Sequence, residues 1–385
     1  MSKETKRIIL QAFLFLLTFL TTTLAGASWC YGKTFIALVP FDVLIDPSFT
    51  WADFWSGLHF SVPFLLILTV HEFGHYLTAQ KNNVSSSLPY YIPMPPIPFS
   101  IGTMGAIIRL RQRVASLRVN FDIGIAGPLA GFVMALIVLF YGFSNLPPAE
   151  YIFEIHPEYE QYGLAYADHV YGNQPNVIDV VIGKNLIFLF FEKFVADPER
   201  MPNPHEIMHY PYLFSGFLAL IFTALNLLPI GQLDGGHVLY GLVGYKNHKL
   251  IASGVFILFI FYAGLGLVHP LQPTNDLILY VPAYVIFLVL CLRGLKLSTQ
   301  NTVMIALLIF AAQFVWSWLQ PSVNGFTGWL LFAFIIGRLA GVEHPRAEIE
   351  EKLDTSRQVL GWIALIIFVL CFSLVPIEMT ATIPE

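Results

Sequence analysis

The pentapeptide His71-Glu72-Phe73-Gly74-His75 is the strongest chemical signal in the chain. On an α-helix two histidines four residues apart share one face. There two imidazole nitrogens can take one Zn²⁺ while the glutamate between them reaches a water at the metal. A catalytic zinc wants a third protein ligand and one open position. Asp234, in Leu233-Asp234-Gly235-Gly236-His237, is the candidate, a lone carboxylate ending an apolar run and followed by two glycines that let backbone approach closely. His237, three residues on, reads better as a structural or ligand-supporting group than as a ligand. A second His-Glu-x-x-His runs from His205 to His209, but Pro202, Pro204 and Pro211 leave it barely one helical turn. With no apolar run around it and no obvious third ligand, it is expected to be the polar entry to a later helix. His59, His156, His169, His248, His269 and His344 fall at predicted span ends or in loops and read as interfacial or solvated groups.

The elements that must position these residues are membrane helices. Of 385 residues 56% are hydrophobic and only 12% charged, with a mean hydropathy of +0.67. That charge is too sparse to solvate a globular surface, which excludes a secreted disulfide scaffold, a nucleic-acid binder and a disordered chain. The net charge of -5 is too small to name a partner, and Cys30, Cys291 and Cys371 lie far apart as small core residues. A helix needs about 20 mostly apolar residues to cross a bilayer. Nine stretches come close: Ile8 to Leu24, Leu58 to Gln80, Phe121 to Phe143, Tyr212 to Gln232, Leu250 to Val268, Leu277 to Leu292, Val303 to Leu319, Phe326 to Leu339 and Val359 to Pro376. The first is expected to be a retained span, not a cleaved signal peptide, and no transit peptide precedes it.

With the N-terminus inside, sixteen of the twenty Lys and Arg fall on the cytoplasmic side, leaving Lys33, Lys184, Lys193 and Arg200 outside. The segment 144–211 carries ten acidic and three basic residues, which suits an extracytoplasmic cap. Within it Val180 to Phe194 is too short to span and is expected to be an interfacial helix. The run Tyr90-Tyr91-Ile92-Pro93-Met94-Pro95-Pro96 is too proline-rich for a helix, and Gly102 to Arg111 alternates like a strand. Together they predict a re-entrant β-hairpin, whose open edge could receive an extended peptide. The fold expected is therefore an all-α polytopic membrane protein of about nine transmembrane helices with a re-entrant β-hairpin next to the active site. Its parts are an N-terminal helix and linker over 1–57, a core over 58–245 and C-terminal helices over 246–385.

His71-Glu72-Phe73-Gly74-His75 in one span, with Asn226-Leu227-Leu228-Pro229-Ile230-Gly231-Gln232-Leu233-Asp234-Gly235-Gly236-His237 in a later one, resembles the site-2 protease family of intramembrane zinc metalloproteases. The hairpin segment, Phe121-Asp122-Ile123-Gly124-Ile125-Ala126-Gly127-Pro128-Leu129-Ala130-Gly131-Phe132 and His344-Pro345 are similar to the subgroup that includes cyanobacterial and chloroplast members. The resemblance implies one catalytic Zn²⁺ held by His71, His75 and Asp234, with Glu72 as base. It also implies substrate handling by Asn226 and Pro229, which match an Asn-x-x-Pro element, and by Gly102 and Gly105 of the re-entrant loop. The chain departs from better-known bacterial members in lacking a PDZ domain and in carrying extra C-terminal spans.

The activity so implied is hydrolysis of peptide bonds in or near transmembrane segments, as in regulated intramembrane proteolysis, with a transmembrane protein as substrate and the lipid bilayer as partner. No nucleic acid is expected, and the expected site is a bacterial inner membrane with the N-terminus cytoplasmic. Two other readings compete. A proteolytically inactive relative would be expected to have lost a ligand or the glutamate. A metal or proton transporter would need polar groups through its depth, whereas here they cluster near one face.

Overall fold

The computed structural model describes residues 2–39, 42–171 and 178–381 and is mostly helical. It divides into two compact units, one formed by Met1–Arg113, Ala126–Leu225 and Val369–Glu385, the other by Val114–Ile125 and Asn226–Phe368.

The first unit opens with α1 (Lys3–Tyr31), whose first turn is closed by Ser2 accepting from the Thr5 N–H. A short antiparallel pair, β1 (Ile36–Val39) and β2 (Asp42–Ile45), leads to α2 (Trp51–Lys81), which starts on a capping box between Thr50 and Asp53. Lipid gives no hydrophobic drive for two such helices to meet, so small residues and hydroxyls must join them. A Cβ on Gly57 would stand 2.1 Å from the Thr23 carbonyl oxygen, and the Thr23 and Ser61 hydroxyls share a 2.8 Å hydrogen bond. Outward faces keep Phe13, Leu16 and Leu66 exposed, as a surface facing lipid should.

After α2 the proline-rich run folds as β3 (Tyr90–Pro93), paired antiparallel with β4 (Thr103–Ile107), with a shift of register between Tyr91 and Pro93. The unit continues with most of α3 (Leu117–Ser144), then α4 (Ile152–Ile155), α5 (Tyr166–Val170), β5 (Ile178–Ile182), α6 (Leu186–Phe194) and nearly all of α7 (Pro211–Leu227). Of the segment 144–211, residues 172–177 lie outside the described residues. The helix expected over Val180 to Phe194 is only half present. Val180, Val181 and Ile182 belong to β5, which pairs antiparallel with β6 (Ile377–Ala381) so that Ile182 faces Ile377. Their β-branched side chains favour a strand once a partner exists. The helix begins at Leu186, where Asn185 accepts from the Phe188 N–H. Its Phe188 and Phe191 rings then pack against Phe143.

The second unit holds α8 (Asp234–Ala263), α9 (Thr274–Leu292), α10 (Thr299–Leu319), α11 (Gly328–Ile335) and most of α12 (Thr355–Cys371). Gly244, at φ +73°, breaks α8 into two segments, and the apolar run from Leu250 begins after that break. The start of α3 is held here by Arg357, which donates to both carboxylate oxygens of Asp122 at 2.7 and 2.8 Å. Phe121, Tyr240 and Phe256 are among its fully buried side chains.

Among the described residues five helices are long and apolar enough to cross a membrane: α1, α2, α3, α9 extended to Leu295, and α10. Three shorter apolar helices, Pro211–Leu227, Gly328–Ala340 and Thr355–Cys371, fall within expected spans. The run Tyr212 to Gln232 was continuous only in composition, since the helix stops at Leu227 and a turn follows. Likewise Phe326 to Leu339 changes from α to π geometry at Ile336.

Candidate metal centre

His71, Glu72 and His75 all lie on α2 and are 6%, 4% and 6% exposed. Helical spacing turns both imidazoles to one side, and their Nε2 atoms stand 3.1 Å apart. The nearer Glu72 carboxylate oxygen is 3.9 Å from His71 Nε2. Burying two imidazoles and a carboxylate in an apolar helix is costly unless they share a partner. The donor chemistry fits zinc: two convergent nitrogens, with a carboxylate beside them.

What makes room for the rings is α3. A Cβ on Gly127 would lie 2.1 Å from His75 Nε2, and one on Gly131 would lie 3.0 Å from His71 Cβ and 3.1 Å from its Nδ1. A Cβ on Gly74, inside the motif itself, would lie 2.6 Å from the Ala126 carbonyl oxygen. Gly127 and Gly131 therefore belong to the site as the floor on which the imidazoles rest. Their four-residue spacing within an apolar span, one small residue per turn on one helix face, was the signal that could have found them.

Asp234 opens α8 in the second unit and is half-buried. Its two glycines serve the tight turn before it: a Cβ on Gly235 would lie 1.9 Å from the Leu227 carbonyl oxygen, and one on Gly236 would lie 2.2 Å from that of Gly231. Asn226 sits at the end of α7, and Pro229 is buried in the same turn. His237 packs on α3, where a Cβ on Gly124 would come within 2.6 Å of its own Cβ. Its Nδ1 is 2.7 Å from His344 Nε2, and His344 Nδ1 lies 2.6 Å from the Pro345 carbonyl oxygen. A carbonyl can only accept, so His344 carries its proton on Nδ1, and His237 Nδ1 donates to His344. His237 is thus oriented by a chain of hydrogen bonds. Burial pushes His344 below its ordinary pKa, against the bond to Pro345. His344 and His248 were expected at solvated or interfacial positions; they are 2% and 0% exposed, packed with Tyr240.

Gly102 and Gly105 lie on the hairpin at φ +79° and +105°, conformations that a side chain disfavours. Gly102 also meets α1 closely, its carbonyl accepting from Thr21 Oγ1 at 2.6 Å. The second His-Glu-x-x-His forms a 3₁₀ segment, Pro204–His209, immediately ahead of α7. Its two histidines do not act together. His205 Nδ1 bonds Asp179 Oδ1 at 2.6 Å and its ring stacks on Tyr171, while His209 Nδ1 reaches the Cys30 carbonyl oxygen at 2.9 Å.

The profile of peptidase family M50 matches residues 59–265, which include every residue just placed except those beyond α8 and the α1 contacts. A probable zinc metalloprotease, EGY1, chloroplastic, of Oryza sativa subsp. japonica is 29% identical over 192 residues, covering 49% of this chain and 28% of that protein. The EGY2 relative of Oryza sativa subsp. indica is 26% identical over 260 residues, covering 62% and 43%. The EGY3 relative of Arabidopsis thaliana, a probable zinc metallopeptidase, is 24% identical over 224 residues, covering 54% and 34%. The chain thus spans less than half the length of these relatives. No solved structure matches it.

Proposed function

The chain belongs to peptidase family M50, the site-2 protease family its motifs resemble, and from that premise we propose that it is an intramembrane zinc metalloprotease. It hydrolyses peptide bonds in or near the transmembrane segments of membrane-protein substrates. The observation that carries this reading is the buried turn His71–His75, with Glu72 inside it, on a helix long enough to cross a bilayer, the two imidazole Nε2 atoms 3.1 Å apart. We take His71, His75 and Asp234 as the ligands of one Zn²⁺. When bound, zinc supplies Lewis acidity, polarising a scissile carbonyl and acidifying water towards a pKa of about 7. Glu72 takes the proton of the attacking water and passes it to the leaving amine. The α3 glycines keep both imidazoles in register for this.

A helical substrate must unwind before attack, since its own hydrogen-bond ladder shields the scissile bond. The β3–β4 hairpin, entering the membrane from one side, receives the extended segment on its edge, with Gly102 and Gly105 shaping that edge. Asn226 steadies the peptide or its oxyanion, and Pro229 sets the turn that presents Asp234. The shorter apolar helices and the second half of α8 complete nine crossings, with the N-terminus cytoplasmic and 144–211 outside; sixteen of twenty Lys and Arg on one side support that topology. A bacterial inner membrane is the proposed compartment.

The test is cleavage of a model transmembrane substrate by the detergent-purified chain. Glu72→Gln should keep its zinc and lose cleavage; wild-type cleavage by that variant would remove Glu72 as base. His71→Ala and Asp234→Ala should each lose one zinc equivalent together with activity.

A further inference from the structure

We propose that His156, Glu206 and His209 form a second divalent-metal site, with the ligand chemistry of Zn²⁺, in the extramembrane cap of the first unit. His156 Nε2 and His209 Nε2 lie 3.3 Å apart, and Glu206 Oε2 is 3.5 Å from His209 Nε2. One ligand atom from each of the three lies within 4.8 Å of the others.

The geometry around that point suits a cation. His209 Nδ1 faces the Cys30 carbonyl oxygen at 2.9 Å, and His156 Nδ1 faces Glu158 Oε1 at 3.0 Å. Both partners can only accept, so each imidazole turns an Nδ1–H to its oxygen and is left with Nε2 aimed at the other ring. Neutral rings so placed offer both Nε2 lone pairs to one ion. The third member adds another acceptor. Glu206 is 1% exposed; its Oε1 accepts from the Tyr171 hydroxyl at 2.7 Å, while its Oε2 has no hydrogen-bond partner. Two ring nitrogens and a buried carboxylate oxygen with no hydrogen-bond partner thus converge on one point, and an ion shared there would satisfy all three.

The supporting contacts have the form that metal ligands use. Each histidine is oriented through its far nitrogen by an oxygen, and the carboxylate is held by a hydroxyl. Tyr171 is itself fixed by stacking on His205, with ring centroids 4.2 Å apart, and His156 stacks on Tyr159 at 4.5 Å. His205, the residue that the motif would nominate, is engaged by Asp179 and takes no part. Two nitrogens and one carboxylate oxygen suit Zn²⁺ with a fourth position for water, and the His156 side chain, 26% exposed, leaves an approach from outside. Such an ion would fasten the 3₁₀ segment that leads into α7 to His156 and, through His209, to the end of α1.

The experiment is metal analysis of the full chain in detergent after equilibration with Zn²⁺ and removal of excess. Wild type should hold two zinc per chain, and His71→Ala/His75→Ala should hold one. His156→Ala and Glu206→Gln should each lose one equivalent from wild type, while His205→Ala keeps both. Co²⁺ loaded into the His71→Ala/His75→Ala chain should show the visible bands of a four-coordinate site, and adding His156→Ala should abolish them. His156 is partly exposed, so this variant should melt with wild type when both are metal-free. Wild type holding a single zinc that only His71→Ala removes would overturn the second site, as would retention of two zinc by both His156→Ala and Glu206→Gln. A single zinc that His156→Ala removes and His71→Ala does not would instead count against the α2 centre and leave this one standing.

Discussion

The same five-residue pattern occurs twice in this chain and folds into two different objects. At His71 it lies inside α2, where four residues make slightly more than one turn and leave the two histidines about 40° apart around the axis. Their Nε2 atoms meet at 3.1 Å. At His205 it lies in a 3₁₀ segment, where residues three apart eclipse and residues four apart diverge by about 120°. There Glu206 and His209 share a face, and His205 turns to Asp179. A His-Glu-x-x-His pattern is thus a claim about ligand geometry only once the helix type is known. The prolines at 202, 204 and 211 decide the type here, by denying the second copy the length of an α-helix.

The sharpest way to break this comparison is to remove one member from each copy. Glu72→Gln should lower cleavage of a transmembrane substrate by about 10²–10⁴-fold, the range expected for a general base. His205→Ala should leave the rate within about twofold; equal losses would erase the distinction between the two copies. Next in size is the floor beneath the first copy. Gly127→Ala drives a methyl group into His75 Nε2, 2.1 Å away, and should cost about 1–3 kcal/mol in displaced packing together with the α2 zinc. Gly131→Ala, whose added carbon meets His71 at 3.0 Å, should cost several-fold less activity. If zinc content and cleavage were unchanged in Gly127→Ala, the glycines would not be holding the rings. The smallest effect belongs to the second copy: Tyr171→Phe removes one hydrogen bond to the buried Glu206 carboxylate, worth about 1–2 kcal/mol. It should lower the melting temperature by about 1–4 °C without changing cleavage. A fall in cleavage with an unmoved melting temperature would tie the cap to catalysis.

The α2 face was legible because its geometry is local. Helix periodicity alone brings His71 and His75 together, and the apolar run from Leu58 says that a helix is there. The hairpin was legible for a similar reason, since proline excludes helix over Tyr90–Pro93 and alternation marks Thr103–Ile107. Val180–Ile182 was not, because its partner strand lies at Ile377–Ala381, nearly two hundred residues on. His156 escaped for the same reason: nothing near it in the chain shows that the fold will set it 3.3 Å from His209. His248 and His344 looked solvated because one stands just before the apolar run that opens at Leu250 and the other a few residues past the run that ends at Leu339, yet both are buried against Tyr240.

By itself the sequence determined that this chain is a membrane protein, that His71 and His75 share a helix face with Glu72 on the same turn, and that Asp234 follows a turn demanding glycine. Composition, periodicity and steric rules act over a few residues, and those features need no more. Only the tertiary structure decided that Gly127 and Gly131 make the space for the imidazoles, and that a proline-flanked copy of the motif would pair its glutamate with His156 and His209. Those are contacts between segments far apart in the chain, and their free energy depends on which side chains the fold removes from solvent together.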